Sequence, residues 1–456
     1  MMLAVPFYLH DAYFDLVQAK YTVLHTGIII SALTAVLSLF FKRKKVKTNY
    51  GPLEYLLLIF AVISLLSSLC SGSFVTSFFG EEGWGIGSLV LSFSIILIIF
   101  YRDTDIYEDM WIIVAAANMI IFLISFLHSA EIDVFDLHLG IDYSQYHSYF
   151  SLLGNTNWIA GYLCLLLPVM FFRYVNEKRK SARTIYLVCL ILGIGNMVLT
   201  NSDALYVGLA IAMAFGLPRF LEDLNKYRGI LLLPAVMGIY LLMIRTMPFF
   251  FYKYDSFSGI TLFLSNYAVL IPIILLSAVL YIVSFRYRPD EGIRKLISVV
   301  FACVVVMACG YLLFDMLQHY RNYQYDWGNN RLRIWMEALF AYSHYLRPGQ
   351  MLIGVGPEMQ AGWLGYLERE LNAVFLVCHS EPVQLLLTTG ICGLGVCIAS
   401  LICAVVDHLK NRTNARRLPY FLALIGYLGT ALFNSMSPLC AGIFFVMLSM
   451  FIKNGK

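Results

Sequence analysis

The chain has little charge for its length. Asp, Glu, Lys and Arg make up 13% of its 456 residues, whereas hydrophobic residues make up 60%. About a quarter of the residues in a soluble globular protein are charged. A soluble fold of this size could not bury so much apolar surface, but a lipid bilayer accommodates it. The composition therefore excludes an ordinary soluble protein, and the net charge of +4 gives no reason to expect a nucleic acid partner.

The sequence also lacks the usual signatures of metal and disulfide sites. Its ten cysteines form no CxxC pair and show no Cys/His ligand spacing. Most of them lie within apolar runs, where cysteine behaves as a small hydrophobic residue. We therefore expect no metal, no disulfide framework and no cofactor.

What the sequence does contain is a series of apolar runs, mostly 17 to 25 residues long, separated by short charged clusters. At a rise of 1.5 Å per residue, such a helix crosses the ~30 Å hydrocarbon core of a bilayer. The predicted spans are residues 22–41, 52–70, 85–101, 109–128, 155–172, 184–200, 204–218, 229–245, 260–285, 296–316, 382–406, 418–434 and 438–452. We predict an all-α integral membrane protein, a bundle of 12–13 transmembrane helices in one polytopic domain over residues 1–456. The runs 204–218 and 438–452 are short, which leaves a re-entrant or interfacial position open for both.

The basic residues predict the orientation of these spans. If the cluster at 42–47 is cytoplasmic, alternation places 24 of the 32 Lys and Arg residues on that side and 8 on the other. The N-terminus is then outside and the C-terminus inside. Residues 1–20 carry His10, Asp11 and Asp15 rather than the basic start of a signal peptide, so we expect the first span to stay in the membrane.

Three predicted external loops, residues 71–84, 129–154 and 317–381, are longer than the rest. The last is the largest polar segment of the chain, with about 65 residues. Binding and catalysis concentrate in such segments, so we expect the protein to act or bind through this large extracytoplasmic loop.

The large loop has internal order. Leu332, Trp335, Leu339 and Tyr342 recur at helical spacing, which predicts an amphipathic helix over residues 331–345 that lies along the membrane surface. A rigid turn at 348–357 and a second helical stretch at 359–372 follow.

The loop ends directly at a span. Ser380 is typical of a helix N-cap and Pro382 of a first helical turn. His379 is therefore predicted to lie just outside the membrane, at the mouth of the helix that follows.

Three segments, in this order, resemble the O-antigen ligase and polymerase superfamily of bacterial membrane glycosyltransferases. They are residues 154–162 (GNTNWIAGY) with Leu-Pro at 167–168, then residues 331–335 with Pro348 and the Gly-Val-Gly of 354–356, and finally residues 379–386 (HSEPVQLL) with Thr-Gly-Ile at 389–391 and Gly-Leu at 393–394. The resemblance covers roughly residues 150–395, and the large external loop and the number of spans agree with it. Where family members often carry Ser-Arg, this chain has Ser202-Asp203, and Trp84 lies near the place of another family Arg. Ser380 and Pro382 replace the family's Asn and aromatic residue after the loop His.

The resemblance implies transfer of a glycan from a polyprenyl-diphosphate carrier to an acceptor hydroxyl, on the outer face of a bacterial plasma membrane. The expected partners are therefore the lipid-linked glycan, a glycan, lipid or protein acceptor, and membrane lipid. Such chemistry needs a base for the acceptor proton and cations for the leaving diphosphate. The resemblance does not distinguish a ligase from a polymerase, because both kinds of enzyme transfer a lipid-linked glycan to a hydroxyl.

The resemblance also implies roles for particular residues. His379 is the candidate base, because its ordinary pKa near 6.5 suits proton transfer at neutral pH. Glu381 is the alternative base, or it complements the helix N-terminus. Arg331 is the candidate diphosphate ligand, with Arg333 as the second choice, since a guanidinium offers two parallel donors to phosphate. The alternatives are an interfacial His and arginines that extend to lipid headgroups.

Four further residues are candidates for substrate binding. Asn155 and Asn157 open the span at 155–172, where small residues also allow plain helix packing. Gln384 bonds the acceptor or lies on the polar edge of its helix. Asp203 is predicted mainly to cap the following helix together with Ser202, with acceptor binding as the other reading.

Two acidic pairs are candidate metal ligands. Asp103 and Asp105 lie on the predicted cytoplasmic side, which is the wrong side for external glycan transfer. Glu131 and Asp133 are external but have no counterpart in the family pattern. The expected transfer is therefore independent of a metal.

Two other functional classes remain open. A flippase for lipid-linked glycans would also have 12–14 spans, but it usually carries charges inside them and shows repeat symmetry. The predicted span interiors are nearly free of charge. A non-catalytic assembly subunit is the third possibility, favoured by the loss of the Ser-Arg pair.

Overall fold

The computed structural model describes residues 1–41, 50–81, 85–104, 107–247, 257, 259–365, 375–411 and 414–455. The basic cluster at 42–47, Trp84 and the part of the second helical stretch beyond residue 365 lie outside these ranges. That stretch is described only up to residue 365, where it contains a short 3₁₀ turn, Ala361–Trp363.

Helices form nearly all of the regular structure in the described residues. They are α1 (Ala4–Phe7), α2 (Leu16–Phe41), α3 (Pro52–Leu69), α4 (Phe74–Phe79), α5 (Ser94–Phe100), α6 (Glu108–Ser129), α7 (Thr156–Asn176), α8 (Lys180–Thr200), α9 (Asp203–Glu222), α10 (Leu224–Tyr227), α11 (Leu233–Thr246), α12 (Gly259–Ser265), α13 (Tyr267–Val283), α14 (Glu291–Arg321), α15 (Trp327–His344), α16 (Pro348–Ile353), α17 (Glu381–Lys410), α18 (Leu418–Ala431) and α19 (Pro438–Lys453). A π-helical turn, Leu89–Phe93, precedes α5, and 3₁₀ turns lie at Tyr143–Ser148 and Arg228–Leu232. Two short antiparallel strands, β1 (Tyr149–Phe150) and β2 (Gly154–Asn155), lead into α7.

The predicted all-α membrane bundle is confirmed. Nine helices of the described chain are long and apolar enough to cross a membrane, or ten if the pair α12 and α13 is one broken span. Three shorter apolar helices, Leu89–Phe100, α18 and α19, account for the remaining predicted runs.

Two predicted spans differ in detail from the structure. The run 204–218 is part of the 20-residue helix α9, which is long enough to cross a bilayer, so its length gives no reason for a re-entrant position. The run 260–285 is not one straight span, because α12 and α13 are bent by 75° at Asn266. The Asn266 side chain accepts a hydrogen bond from the amide of Ala268 and thereby starts a new helix.

Helix α7 lies at the centre of the bundle and packs against α8, α18 and α19. It is apolar around its circumference, as expected for a helix surrounded by others. The hydroxyl of Tyr162, fully buried, donates to Oδ1 of Asn118 on α6 at 2.9 Å. By contrast α14, 31 residues long, has no buried residue. Its apolar sides therefore face lipid.

Glycines allow α9 and α18 to approach closely. A Cβ atom on Gly208 would lie 2.3 Å from the carbonyl oxygen of Gly426, and one on Gly429 would lie 2.8 Å from Cα of Gly208. Without a hydrophobic driving force between helices in lipid, such close packing is a main source of their association.

One end of the bundle is rich in basic residues, and contacts join its loops. Lys453 Nζ donates to the carbonyl of Thr104 at 3.1 Å, and Arg179 Nη1 lies 2.8 Å from Oδ1 of Asp109. We call this the basic end. The loops around Arg102, residues 173–183, residues 414–417 and the C-terminus meet there, as the predicted alternation of spans requires.

We expect Gly208→Ala to destabilise the protein by roughly 1–3 kcal/mol, because the added methyl group must force two helices apart. Gly310→Ala on α14 is the matched control, since a Cβ there meets no atom within 4 Å. Thermal unfolding of the two purified variants in detergent measures the effect. An unchanged melting temperature for Gly208→Ala would show that the α9–α18 contact is looser than described.

Candidate functional site

A cleft of about 660 Å³ opens at the end of the bundle opposite the basic end. It is lined by residues from the N-terminal segment, the start of α7, the end of the large loop and the turn between α18 and α19: Tyr13, Phe14, Asp15, Leu16, Val17, Gln18, Tyr149, Asn155, Asn157, Trp158, Phe375, Leu376, Val377, His379, Asn434 and Ser435. The cleft brings together three residues that the sequence analysis singled out, Asn155, Asn157 and His379. The first two are more than 200 positions from the third.

His379 combines a strained backbone with a ring that has no bonded partner. Its φ of +49° lies in the left-handed region, where non-glycine residues are uncommon. Within the described residues, no group hydrogen-bonds to its imidazole ring. Burial, and secondarily the positive charge of Arg331, lower the pKa of His379 to about 4. The ring is therefore neutral at pH 7, and it belongs to the lining of the cleft.

The neighbours of His379 fix its backbone from two sides. The indole of Trp335 on α15 donates to the carbonyl of Cys378 at 3.0 Å. The amide of Cys378 donates to Oε1 of Gln384 at 3.2 Å, and the Ser435 hydroxyl donates to the same oxygen at 2.7 Å. Gln384 is buried and does not line the cleft, so in this structure it positions the His379 segment rather than facing a substrate.

Glu381, the alternative base, also has a structural contact. Its Oε2 atom accepts a hydrogen bond from the amide of Met436 at 2.8 Å. This bond ties the start of α17 to the turn between α18 and α19. Glu381 does not line the cleft, whereas His379 does.

Arg331 lies next to the cleft wall, and no carboxylate that the structure describes pairs with it. Its Nη2 donates to Oδ1 of Asn434 at 3.2 Å and its Nη1 to the carbonyl of Gly328 at 3.2 Å. The Nε of Arg331 and the Nδ2 of Asn434 are buried donors that have no acceptor within the described part of the chain. Burial lowers the pKa of Arg331, and the charge of Asp203 partly offsets this. Two buried donors without acceptors, one of them on a half-buried cation, are a costly arrangement that a bound anion would relieve.

The kink at the start of α15 places Arg331. Gly328, Asn329 and Asn330 all have left-handed backbone angles, with φ between 62° and 66°. Regular helix begins only at Arg331, so the chain turns sharply there. Arg333, the second candidate cation, does not line the cleft. Its backbone amide donates to the carbonyl of Tyr325 at 3.2 Å.

The predicted cap at Asp203 is wrong. Ser202 makes no side-chain hydrogen bond at the start of α9. Asp203 instead accepts a bond from the amide of Ile260 at 2.7 Å, at the start of α12. The carboxylate thus joins two helices that are distant in sequence.

The amphipathic pattern predicted over 331–345 is only partly right. The region is helical, but Leu339 is 46% exposed. The buried side chains are Leu332, Ile334, Ala338 and Ala341. The small alanines let α15 approach α17 closely, and a pattern search for large apolar residues overlooks them.

Two glycine motifs of the sequence meet backbone to backbone. Helix α17 is broken at Gly390, whose φ is +70°, and the amides of Val355 and Gly356 donate to the carbonyls of Leu387 and Thr388 at 3.1 and 3.0 Å. A Cβ on Gly354 would lie 2.1 Å from the oxygen of Thr388. The large loop is therefore locked onto the break in α17, about two to three helical turns along the chain from His379.

Several cleft residues were not anticipated from the sequence. Asn434 and Ser435 belong to a short polar break between two apolar runs. Such a break in the sequence could have indicated them as candidate site residues. Glu358, which lies outside the cleft lining, had no such signal. It is 2% exposed, and burial and the nearby charge of Glu381 raise its pKa to about 8 against the effect of hydrogen bonds from the Glu81 and Ile86 amides.

One cluster has the residue types of a metal site. Ligand atoms of His128, Asp133 and His138 all lie within 4.8 Å of one another. However, Nδ1 of His128 accepts the amide hydrogen of Ser151 at 3.0 Å. The neutral ring then carries its proton on Nε2, which has no lone pair for a metal. This nitrogen lies 3.4 Å from Oδ1 of Asp133, and neither atom has a hydrogen-bond partner among the described residues. The bonds of His128 to Ser151 and of His138 to Asp133 make the cluster a clamp on the surrounding loop.

Asp133 serves as the acceptor in this clamp. Burial raises its pKa, but the amides of His138 and Leu137 and the His138 ring outweigh burial and lower it overall. The clamp holds the loop 129–154 beside the cleft, because Tyr13, which lines the cleft, donates to the carbonyl of Ser151 at 2.5 Å.

We expect the stability of the protein to fall as the pH drops from about 6.5 to about 5, in part because of His379. In that pH window the unfolded chain binds a proton at this ring, whereas the folded state keeps the ring neutral. Proton binding therefore favours the unfolded chain and lowers the free energy of unfolding by up to about 2 kcal/mol. His379→Gln removes this contribution, so its melting temperature should depend less on pH than that of the wild type. His344→Gln, at an exposed position of α15, is the control. Equal pH dependence of all three proteins would show that His379 titrates normally.

Compared with models of known protein families the chain matches none, and no curated protein matches it. The resemblance to the O-antigen ligase and polymerase superfamily therefore rests on the three motifs. What the structure adds is their arrangement: the start of α7 and the loop His line one cleft, and the Arg of the second motif lies directly behind it.

Proposed function

We propose that this protein transfers a glycan from a polyprenyl-diphosphate carrier to an acceptor hydroxyl at the cleft. The cleft end would face the outside of a bacterial plasma membrane, and the product would be a surface polysaccharide that is polymerised or ligated there. The basic end would face the cytoplasm, in agreement with the distribution of Lys and Arg along the chain.

The observation that carries this proposal is the pair of unsatisfied donors at Arg331 and Asn434. A diphosphate that enters the cleft beside Asn434 would supply the acceptors that Nε of Arg331 and Nδ2 of Asn434 lack. It would also pair with the Arg331 cation, which no carboxylate of the described residues contacts. Such groups would stabilise the charge that develops as the diphosphate leaves.

His379 would act as the general base. In the proposed step the acceptor hydroxyl gives its proton to the imidazole as its oxygen forms a bond to the anomeric carbon. The bond from that carbon to the diphosphate oxygen breaks at the same time, and the diphosphate leaves with the electron pair. Attack from the side opposite the leaving group inverts the anomeric configuration.

Binding of the carrier would tune this base. Without substrate, the positive charge of Arg331 helps to lower the pKa of His379. A bound diphosphate neutralises that charge and adds negative charge nearby, which raises the pKa and makes the imidazole a stronger base. The base would therefore reach its working strength only when the donor substrate is present.

The N-terminal segment would contribute to carrier binding. Phe14, Leu16 and Val17 line the cleft on the side of α2, and Phe14 is 83% exposed. An isoprenoid chain needs an apolar path of this kind between the bilayer and the reacting diphosphate.

We expect His379→Ala and Arg331→Gln each to lower surface polysaccharide by about 10²-fold or more in cells that lack the native copy, because each removes a group that acts in the transition state. Lipid-linked precursor should accumulate on the outer face. His344→Ala and Arg321→Gln are matched controls, since both positions are exposed and lie outside the cleft. Gel analysis of the polysaccharide, with protein level checked by blot, measures the outcome.

The same experiment distinguishes the other functional classes. If precursor accumulates on the inner face, the protein is a flippase. If polymer is unchanged in both variants while the proteins are present, the cleft is not catalytic and an assembly role takes precedence.

The pH dependence of transfer tests the tuning of His379. We expect the acidic limb of kcat/KM, which reports the free enzyme, to lie at lower pH than the acidic limb of kcat, which reports the complex. In Arg331→Gln the limb of kcat/KM should move to higher pH, because the charge that lowers the His379 pKa is gone. An unmoved limb would mean that another group is the base.

A further inference from the structure

A second large pocket lies at the basic end, and the proposed reaction does not use it. Its volume is about 700 Å³. It lies between the last turn of α7, the first turn of α18 and the last turn of α19. These three helices begin or end near the cleft at their other ends, so the pocket and the cleft are roughly 30 Å apart, one helix length of about 20 residues.

The wall of this pocket carries three cations. Arg173, Arg416 and Lys453 line it, and Glu108 is the one acidic residue in this lining among those that the structure describes. Glu108 is a weak partner for Arg173, because the two groups are 3.5 Å apart and the Glu108 side chain is 82% exposed. Two neighbouring carboxylates, Asp109 and Glu177, already pair with Arg179.

Arg173 is held in place before any ligand binds. Its Nη2 donates to the hydroxyl of Tyr420 at 3.2 Å, and its guanidinium lies 5.2 Å from the ring centre of Trp111. Lys453 is anchored by its bond to the Thr104 carbonyl. The guanidinium of Arg416, in contrast, has no partner among the residues that the structure describes. One cation is therefore available and two are positioned beside it.

The floor of the pocket is apolar. Val169, Phe172, Pro419 and Met450 form it, and all four are buried. The N-terminus of α18 adds positive potential, while the C-terminal ends of α7 and α19 reduce it. The three cationic side chains make the electrostatic potential of the pocket positive. The pocket therefore combines a cationic rim with an apolar interior.

From this combination we infer that the pocket binds an anionic phospholipid, with the headgroup phosphate at Arg173, Arg416 and Lys453 and an acyl chain against the apolar floor. Basic pockets between transmembrane helices are the usual way in which a membrane protein recognises such headgroups. A free phosphate compound shares the headgroup chemistry but gains nothing from the floor. The lipid would stabilise the contacts among α7, α18 and α19 at the end opposite the cleft.

Lipid retention on the full-length protein tests this inference. The purified protein is titrated with phosphatidylglycerol, with phosphatidylcholine or with inorganic phosphate, and bound molecules are counted by native mass spectrometry. We expect one phosphatidylglycerol to bind at least tenfold more tightly than phosphatidylcholine. The triple variant R173Q/R416Q/K453Q should lose this preference.

The matched control removes the same charge from the same end of the bundle. R286Q/R288Q/K295Q changes three exposed cations that do not line the pocket, and it should keep the preference. Because Arg173 also supports the fold through Tyr420 and Trp111, the single variant Arg416→Glu is a second test. It removes no described side-chain contact and should still weaken phosphatidylglycerol binding at least fivefold.

Three outcomes would overturn the inference. Equal loss in the pocket triple variant and the control triple variant would mean that general surface charge attracts the lipid. Inorganic phosphate that binds to the wild type and displaces phosphatidylglycerol would point to a soluble phosphate ligand instead. Unchanged binding in a folded Arg416→Glu protein would place the lipid elsewhere.

Discussion

The candidate site depends on the contact between the large loop and the broken helix α17. Where α17 breaks at Gly390, the carbonyls of Leu387 and Thr388 lose their helical donors. The amides of Val355 and Gly356 replace those donors, and Ser67 on α3 also donates to the Thr388 oxygen at 2.7 Å. A broken helix within a membrane is tolerated only where its backbone is satisfied in this way. The loop is thus part of the bundle rather than an appendage to it.

This attachment explains how a residue with a strained backbone can persist at the cleft. Left-handed angles at a residue such as His379 cost of order 1–3 kcal/mol, so the surroundings must hold them. Trp335 and Gln384 supply that constraint on the preceding residue, Cys378, and Glu381 anchors the turn that carries Asn434. These contacts hold His379 and Asn434 in the lining of the cleft, with Arg331 bonded to Asn434.

The two ends of the bundle differ in the way they carry charge. At the basic end, Arg102 is buried and bonded to Glu54 at 2.5 Å, and other cations pair with acids or cap carbonyls. At the cleft end, Arg331 is half-buried, and none of the carboxylates that the structure describes is in contact with it. Lys20, although buried, donates to three carbonyls, those of Val5, Pro6 and Tyr8, and so closes the end of α1. Unsatisfied guanidinium donors alone do not distinguish the cleft, because Arg219, Arg228 and Arg417 at the basic end each have one too. The cleft differs in that its lining residue Asn434, which is bonded to Arg331, also has a donor without an acceptor among the described residues.

The sequence by itself determined the membrane class, the number of apolar segments and the loop that carries the site. Those features follow from hydrophobic run length and from charge distribution, which are local properties that the bilayer selects directly. The sequence also singled out the glycines at 354–356 and 390 and the ring of His379.

Only the tertiary structure decided which residues stand together. It showed that Gln384 and Glu381 bind backbone and side-chain groups of neighbouring segments, that Asp203 accepts a hydrogen bond at the start of another helix, and that Asn434 accepts one from the half-buried guanidinium of Arg331. A sequence pattern does not reveal these contacts, because most of them join positions that are about 50 to 100 residues apart. The bond between Gln384 and Cys378 is the local exception. Burial then determined which polar groups are left without partners, and burial is a property of the packed bundle as a whole.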